Sequence, residues 1–190
     1  MPRLVVASKN PDKIVEIEDV LANSGLTGEI LRGLEWPEVE ETGATLEDNA
    51  LLKARAVAAA TGLPVVGDDT GLEVEALDGA PGVRTARFAG PRASYQDNVD
   101  HLLARLADVT DRRARFRTVV ALVFPDGVEI TAEGSLDGKI TTTPRGSRGF
   151  GYDPVFEVEE KTLAEMSASE KNAISHRARA LRSLTEALGL

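Results

Sequence analysis

The chain contains no cysteine, which excludes disulfides and thiolate metal centres. Aromatic residues are scarce: five Phe, two Tyr and one Trp, 4% of 190 residues, so each one outside an apolar run calls for a specific job. Basic residues are outnumbered, 22 against 31 acidic, for a net charge of −9. A field of that sign argues against broad, sequence-independent nucleic-acid binding, which relies on basic surface. It leaves room for a small anionic ligand in a locally basic pocket. No run is long and apolar enough for a membrane span, and Met1-Pro2-Arg3 leads straight into the strand-like Leu4-Val5-Val6-Ala7. A soluble cytoplasmic protein, with neither membrane nor nucleic acid as partner, is the expectation. Two nucleotide-binding signatures are also missing: G-x-x-x-x-G-K-[ST] and G-x-G-x-x-G occur nowhere, so neither a P-loop nor a Rossmann dinucleotide site has support.

What is present suits one domain over residues 1–190. Hydrophobic residues make up 42%, enough to build a core at this length, and no repeat or linker divides the chain. Leu4–Ala7 reads as a buried strand. A helix follows, with Asn10 as N-cap, Pro11 at its first position, Ile14, Ile17, Val20 and Leu21 on one face, and Gly25 near its stop. Thr45-Leu46-Glu47-Asp48 starts a second helix running to about Thr61. Pro64–Gly67 is a second strand, and Leu72, Val74 and Ala76 alternate with Glu73 and Glu75 in strand fashion. Ser94–Ala107 predicts a third helix, Phe116–Phe124 and Val128–Ala132 a hairpin turning at Pro125-Asp126-Gly127, and the last segment a helix with Ala178, Leu181, Leu184 and Leu188 inside. Strands and helices alternating early, then a hairpin, imply a mixed α/β fold.

Four segments could carry chemistry. In Ser8-Lys9-Asn10-Pro11-Asp12-Lys13 a strand runs into a helix N-terminus, where unpaired N–H groups and the helix dipole suit phosphate. Ser8 adds a hydroxyl, Asn10 an amide, Lys9 and Lys13 charge; an ordinary capped junction would look the same. The second is acidic: Glu38, Glu40 and Glu41 before the second helix, and Asp68-Asp69 at the end of the strand that helix feeds. Adjacent carboxylates are costly unless solvent, a cation or a raised pKa relieves them. A solvated turn and a Mg²⁺ site, which takes one or two carboxylates plus substrate phosphates, stand about level. The third, Gly149-Phe150-Gly151-Tyr152-Asp153-Pro154, offers aromatics to stack on a planar base and a carboxylate to accept a ring N–H, with one aromatic expected to plug the core. In the fourth, Ser169-Glu170-Lys171 through His176-Arg177, a continuous helix would scatter Lys171, His176 and Arg177 around its cylinder. A fresh helix capped by Ser175 instead puts His176 and Arg177 in a first turn, where cations are disfavoured unless a ligand compensates.

In this order the segments resemble the inosine/xanthosine triphosphate pyrophosphatase family. The resemblance rests on "SKNPDK", "EETGATLEDNALLKA", "DDTGLEV", "GAPGVRTARFAG", "GFGYDP" and "EKNAISHR", which together span nearly the whole chain. It implies an elongated mixed sheet flanked by helices, two lobes with the active site in the cleft between them, and a homodimer. It implies hydrolysis of deaminated purine nucleoside triphosphates (ITP, dITP, XTP) between the α and β phosphates, with Mg²⁺. By position, Asp69 would prepare the attacking water; Asp68, Glu41 and Glu40 would complete the metal-linked acidic set. The Ser8, Lys9, Asn10, Pro11, Asp12, Lys13 run and Lys53 would hold phosphates, and Thr70 would sit beside substrate. Phe150, Gly151, Tyr152, Asp153, Lys171, His176 and Arg177 would form the nucleoside pocket. A donor such as Arg177 or His176 aimed at the 6-oxo group would favour hypoxanthine and xanthine over adenine. Arg148 stands where the family often has glycine, and Trp36 reads as a hydrophobic staple or a lobe contact. The alternatives are a Maf-like pyrophosphatase acting on pyrimidine or modified nucleotides, and a non-catalytic nucleotide sensor.

Overall fold

The start and stop signals become element ends in a computed structural model, which describes residues 3–22, 24, 26 and 29–190. Strand β1 (Arg3–Val6) leads into α1 (Pro11–Leu21), whose N-cap Asn10 accepts from the backbone N–H groups of Asp12 and Lys13. Helix α1 closes at Ala22; the expected stop at Gly25 lies outside the described residues. After β2 (Glu29–Leu31), helix α2 (Leu46–Thr61) opens on a capping box in which the Thr45 and Asp48 side chains each bond the other's backbone N–H. There follow β3 (Val65–Val74), β4 (Pro81–Gly82), α3 (Tyr95–Arg105), β5 (Arg113–Val123), β6 (Glu129–Ile140), β7 (Phe156–Val158), β8 (Lys161–Thr162), α4 (Ala168–Ile174) and α5 (His176–Ala187). The strands are ordered β2-β1-β3-β5-β6-β7-β8, with β4 paired to β3. Strand β1 runs parallel to β2 and β3, whereas β4 on β3, β7 on β6 and β8 on β7 are antiparallel. This is the expected mixed α/β fold.

Three strands differ from their sequence-based bounds. Strand β3 does not stop at Gly67 but continues through Asp68 and Asp69 to Val74, and Ala76 falls in a 3₁₀ turn, Glu75–Leu77, beyond it. Strand β5 starts at Arg113, earlier than expected: Arg113 and Arg115 alternate outward against buried Ala114 and Phe116, which makes this end an amphipathic strand. Strand β6 runs on to Ile140.

The chain divides into two compact units, one made of Met1–Asp69, Thr118–Gly134 and His176–Leu190, the other of Thr70–Arg117 and Ser135–Ser175. In the first, Ile17 and Leu21 of α1 and Leu181 and Leu184 of α5 pack with Leu4, Val6, Val66, Val120 and Leu122 of the strands. At Gly67 a Cβ would meet the Ala50 carbonyl oxygen at 2.6 Å; the missing side chain lets α2 lie close upon β3. In the second unit, Val99 and Leu102 of α3, with Leu106 at its C-cap, pack with Leu72, Val74, Phe116, Ile140, Tyr152 and Phe156. Among the described residues, no helix is long and apolar enough to cross a membrane.

Candidate active site

Successive side chains of a strand point to opposite faces, and this resolves the Asp68-Asp69 pair. Because β3 continues through them, the two carboxylates meet different partners. Asp68, 2% exposed, takes the Lys13 ammonium of α1 at 3.3 Å and the Arg177 Nε of α5 at 3.2 Å. Arg177 is also buried and donates through Nη1 to Glu16 of α1. Asp69 instead takes the Lys53 ammonium of α2 on Oδ1 at 3.0 Å and the Asn49 amide on Oδ2 at 3.3 Å. The same Lys53 ammonium reaches Glu41 at 2.7 Å. His176, the first residue of α5, is buried with its Nδ1 2.6 Å from the Thr118 hydroxyl. The helix does break at Ser175, which closes α4 in an extended conformation before α5 restarts. The compensation for cations in that first turn is Asp68 and Glu16 in the case of Arg177.

The environments push the two aspartates apart. Burial by itself favours the neutral acid of Asp68, but Lys13, Arg177 and Lys53 outweigh it and hold the carboxyl well below the usual carboxylate range. Burial lifts the Asp69 carboxyl above its ordinary value, against the pull of Lys53 and Lys13 and with the Glu41 charge assisting. Lys13 is lowered, by burial first, with Asp68 opposing. Lys53 is raised: burial works against its charge, but Asp69, Asp68 and Glu41 prevail.

Asp68 therefore carries a pH signature. Its folded pKa lies below the unfolded value of about 3.9, so its contribution to stability is complete above that pH and disappears as the pH falls toward the folded value. The melting-temperature gap between the wild type and Asp68→Asn should be widest above about pH 4 and narrow steadily on acidification. A gap independent of pH from 5 to 2 would contradict the assignment.

At the strand-to-helix junction, Ser8 Oγ accepts the Asn10 N–H at 3.1 Å and Asn10 Oδ1 caps α1. Lys9, Pro11 and Asp12 are exposed. Ser8, Lys9 and Pro11 line a groove of ≈ 600 Å³ whose wall also includes Ile30, Leu34 and the half-buried Trp36. Trp36, given no certain role by sequence, is thus a groove-wall residue. Of the four acidic residues expected at a metal, Glu41 and Asp69 converge on Lys53, Asp68 faces Lys13 and Arg177, and Glu40 is exposed outside both networks. Among the described residues, no group of three or more His, Asp or Glu is arranged to hold a metal by itself. Two carboxylates are what Mg²⁺ needs when phosphates supply other ligands. Glu41 and Asp69 are the two carboxylates that share one cation, the Lys53 ammonium, and are the pair that would hold Mg²⁺.

The remaining site candidates lie in the second unit. Thr70 follows Asp69 on β3 and is half-buried. Tyr152 is the core plug: it is 3% exposed and its hydroxyl donates to the Thr85 carbonyl at 2.9 Å. Phe150 stays half-buried, its ring centroid 5.8 Å from that of Tyr95 and 5.0 Å from the Lys171 ammonium. Asp153 and Lys171 form a buried ion pair, and Asp153 Oδ2 also accepts the Phe150 N–H at 2.9 Å. Gly149, at φ +70, has no room for a Cβ against that carboxylate, and Gly151 also takes positive φ, at +62. Arg148 donates to the Glu165 carbonyl at 3.3 Å.

Sequence reasoning passed over Asn49, Glu16 and Thr118. Only Asn49 carried a readable signal: a polar residue four positions before Lys53, on the same helix face. The partners of Glu16 and Thr118 lie 161 and 58 residues away.

The fold and these paired clusters define a mixed α/β protein that sets lysine–carboxylate pairs beside a capped strand-to-helix junction. The chain belongs to the Ham1 family, whose model matches residues 4–187. A dITP/XTP pyrophosphatase of Streptomyces avermitilis is 49% identical over 191 residues, covering 97% of this chain and 96% of its own. Among solved structures, a HAM1 protein from Coxiella burnetii is similar with a TM-score of 0.87 and 40% identity, covering 100% of this chain and 99% of its own. The nucleoside-triphosphatase / dITP/XTP pyrophosphatase from Mycobacterium abscessus has a TM-score of 0.75 and 44% identity, covering 98% and 99%.

Proposed function

We propose that this chain hydrolyses the deaminated purine nucleoside triphosphates dITP, ITP and XTP at the α–β phosphate bond, releasing nucleoside monophosphate and pyrophosphate in the presence of Mg²⁺. The observation that carries the mechanism is the divergence of partners along β3: Lys13 and Arg177 take Asp68, whereas Lys53 and Asn49 take Asp69, so the two neighbouring acids have different surroundings and divide their roles. Asp68 remains an anion and keeps Lys13 and Arg177 charged and in place. Asp69 orients the attacking water and takes its proton as the new oxygen–phosphorus bond forms and the anhydride bond breaks. Lys13 and Lys53, with the positive end of the α1 dipole, neutralise phosphate charge. Glu41 and Asp69 would hold Mg²⁺, which, when bound, screens phosphate charge and steadies the departing pyrophosphate. Names of relatives that share about half their residues with this chain support the substrate class.

The nucleoside assignment rests on Phe150, which offers a ring face to the base, with Gly151, Tyr152, Asp153 and Lys171 holding that ring in place. Stacking of a base on an aromatic ring is worth about 1–3 kcal/mol. Phe150→Ala should therefore raise KM for dITP by roughly 10–100-fold with a smaller change in kcat; an unchanged KM would remove Phe150 from the pocket. A homodimer in the cytoplasm completes the proposal, the dimer being checked by light scattering at working concentration.

The testing experiment is pyrophosphate release with Mg²⁺ from ITP, XTP, dITP, GTP, ATP and dTTP. Preference for the first three is expected. Preference for dTTP would point to Maf-like chemistry, and ITP binding without release from any nucleotide to a sensor.

A further inference from the structure

Asn49 is wholly buried in α2, although asparagine is a poor residue for a helix interior and a buried amide is costly unless bonded. Its two ends are used in opposite senses. Oδ1 accepts the Gly43 backbone N–H at 2.8 Å, and Nδ2 donates to Asp69 Oδ2 at 3.3 Å. The orientation follows from the partners: a backbone N–H needs an acceptor and a carboxylate needs a donor. One helical turn on, Lys53 makes the parallel link, joining Glu41 at 2.7 Å to Asp69 at 3.0 Å. The segment Glu41–Gly43 and the Asp69 carboxylate are thus bridged twice, by adjacent rungs on one face of α2. The approach is close by design of the chain: a Cβ at Gly43 would meet Asn49 Oδ1 at 2.6 Å.

We propose that Asn49 is a positioning residue for the reaction. It fixes the plane of the Asp69 carboxylate and anchors the segment that carries Glu41, so that the two carboxylates are presented together. Lys53 alone does not do this, because an ammonium binds a carboxylate without fixing its plane, whereas the planar amide constrains both partners. The inference rests on the proposed roles of Asp69 and Glu41, but its anchoring half stands on the fold alone.

Two variants separate the halves. Asn49→Ala removes both bonds; Asn49→Asp keeps an acceptor for Gly43 and replaces the donor to Asp69 with a like charge. Amide hydrogen exchange in the protein without nucleotide or metal should be about 2–10-fold faster at Gly43 in Asn49→Ala, as for loss of one hydrogen bond, and unchanged in Asn49→Asp. With dITP, kcat should fall by about 10–100-fold in both variants, the usual loss when a partner that orients a ligand is removed, with KM little moved. Equal Gly43 exchange in Asn49→Ala and wild type overturns the anchoring role. Wild-type kcat in Asn49→Asp, or a loss carried in KM, overturns the positioning role. Should Asn49→Ala not fold, Asn49→Ser takes its place in the exchange comparison. If the wild type itself does not turn over dITP, the proposed function fails, and the exchange comparison still decides the anchor.

Discussion

Asp69→Asn should lower kcat for dITP by about 10²–10⁴-fold, the span that a positioned general base supplies, while the protein remains folded. The substitution is nearly isosteric and keeps an oxygen for Lys53 or Asn49, so the local bonds are largely preserved. What disappears is the basic group whose pKa burial has raised. The loss should appear in kcat and kcat/KM alike, as expected for an interaction made in the transition state. Retained melting temperature with near-normal turnover would remove Asp69 from the chemistry. The neighbouring substitution, Asp68→Asn, should behave differently: it leaves Lys13 and Arg177 without their shared counter-ion, so its loss is one of stability and substrate affinity.

The largest effect on stability is expected at Arg177. Its guanidinium is buried between Asp68 and Glu16, and removing one member of a buried ion network leaves the others uncompensated, at a cost of about 3–5 kcal/mol. In a chain of this length each kcal/mol moves the melting temperature by about 2–4 °C, so Arg177→Met should melt roughly 6–20 °C lower. Adding Glu16→Gln should recover part of that drop, because the orphaned carboxylate is then gone. Calorimetry of the single and double variants is the check. A single variant within about 2 °C of the wild type, which is under 1 kcal/mol, would mean that the network is not structural. The same network explains how α5 tolerates Arg177 in its first turn. The unfavourable end of the helix dipole is answered by carboxylates from α1 and β3.

The parts of this arrangement legible in the sequence are those set by local bonds. Asn10 with Pro11, and Thr45 with Asp48, mark helix starts because the cap and its N–H partner lie two or three residues apart. Ser175 was readable for a similar reason: a continuous helix would have dispersed the three basic residues around it. Tyr152 was expected as one of two possible plugs, but choosing between it and Phe150 depended on the Thr85 carbonyl, 67 residues away. The strand through Asp68 and Asp69 was not legible. Whether two carboxylates end a strand or sit within it depends on Lys13, Lys53 and Arg177, up to 109 residues distant. The short strands β2, β7 and β8 have only two or three residues each, too few to show a period. The family resemblance supplied Lys53, as a holder of phosphates, which spacing had not singled out; Glu41 was already part of the acidic set read from the residues. The resemblance did not supply Asn49 or Glu16, the hydrogen-bond partners of Asp69 and Arg177.

Cleavage of the α–β phosphate bond is the claim on which the roles of Asp69, Lys53 and Lys13 all depend. Phosphorus-31 NMR of dITP turned over by the wild-type protein with Mg²⁺ tests it directly. Resonances of dIMP and pyrophosphate, growing in equal amounts without orthophosphate, are the predicted result. Appearance of dIDP and orthophosphate would place the cut at the β–γ bond and contradict the account.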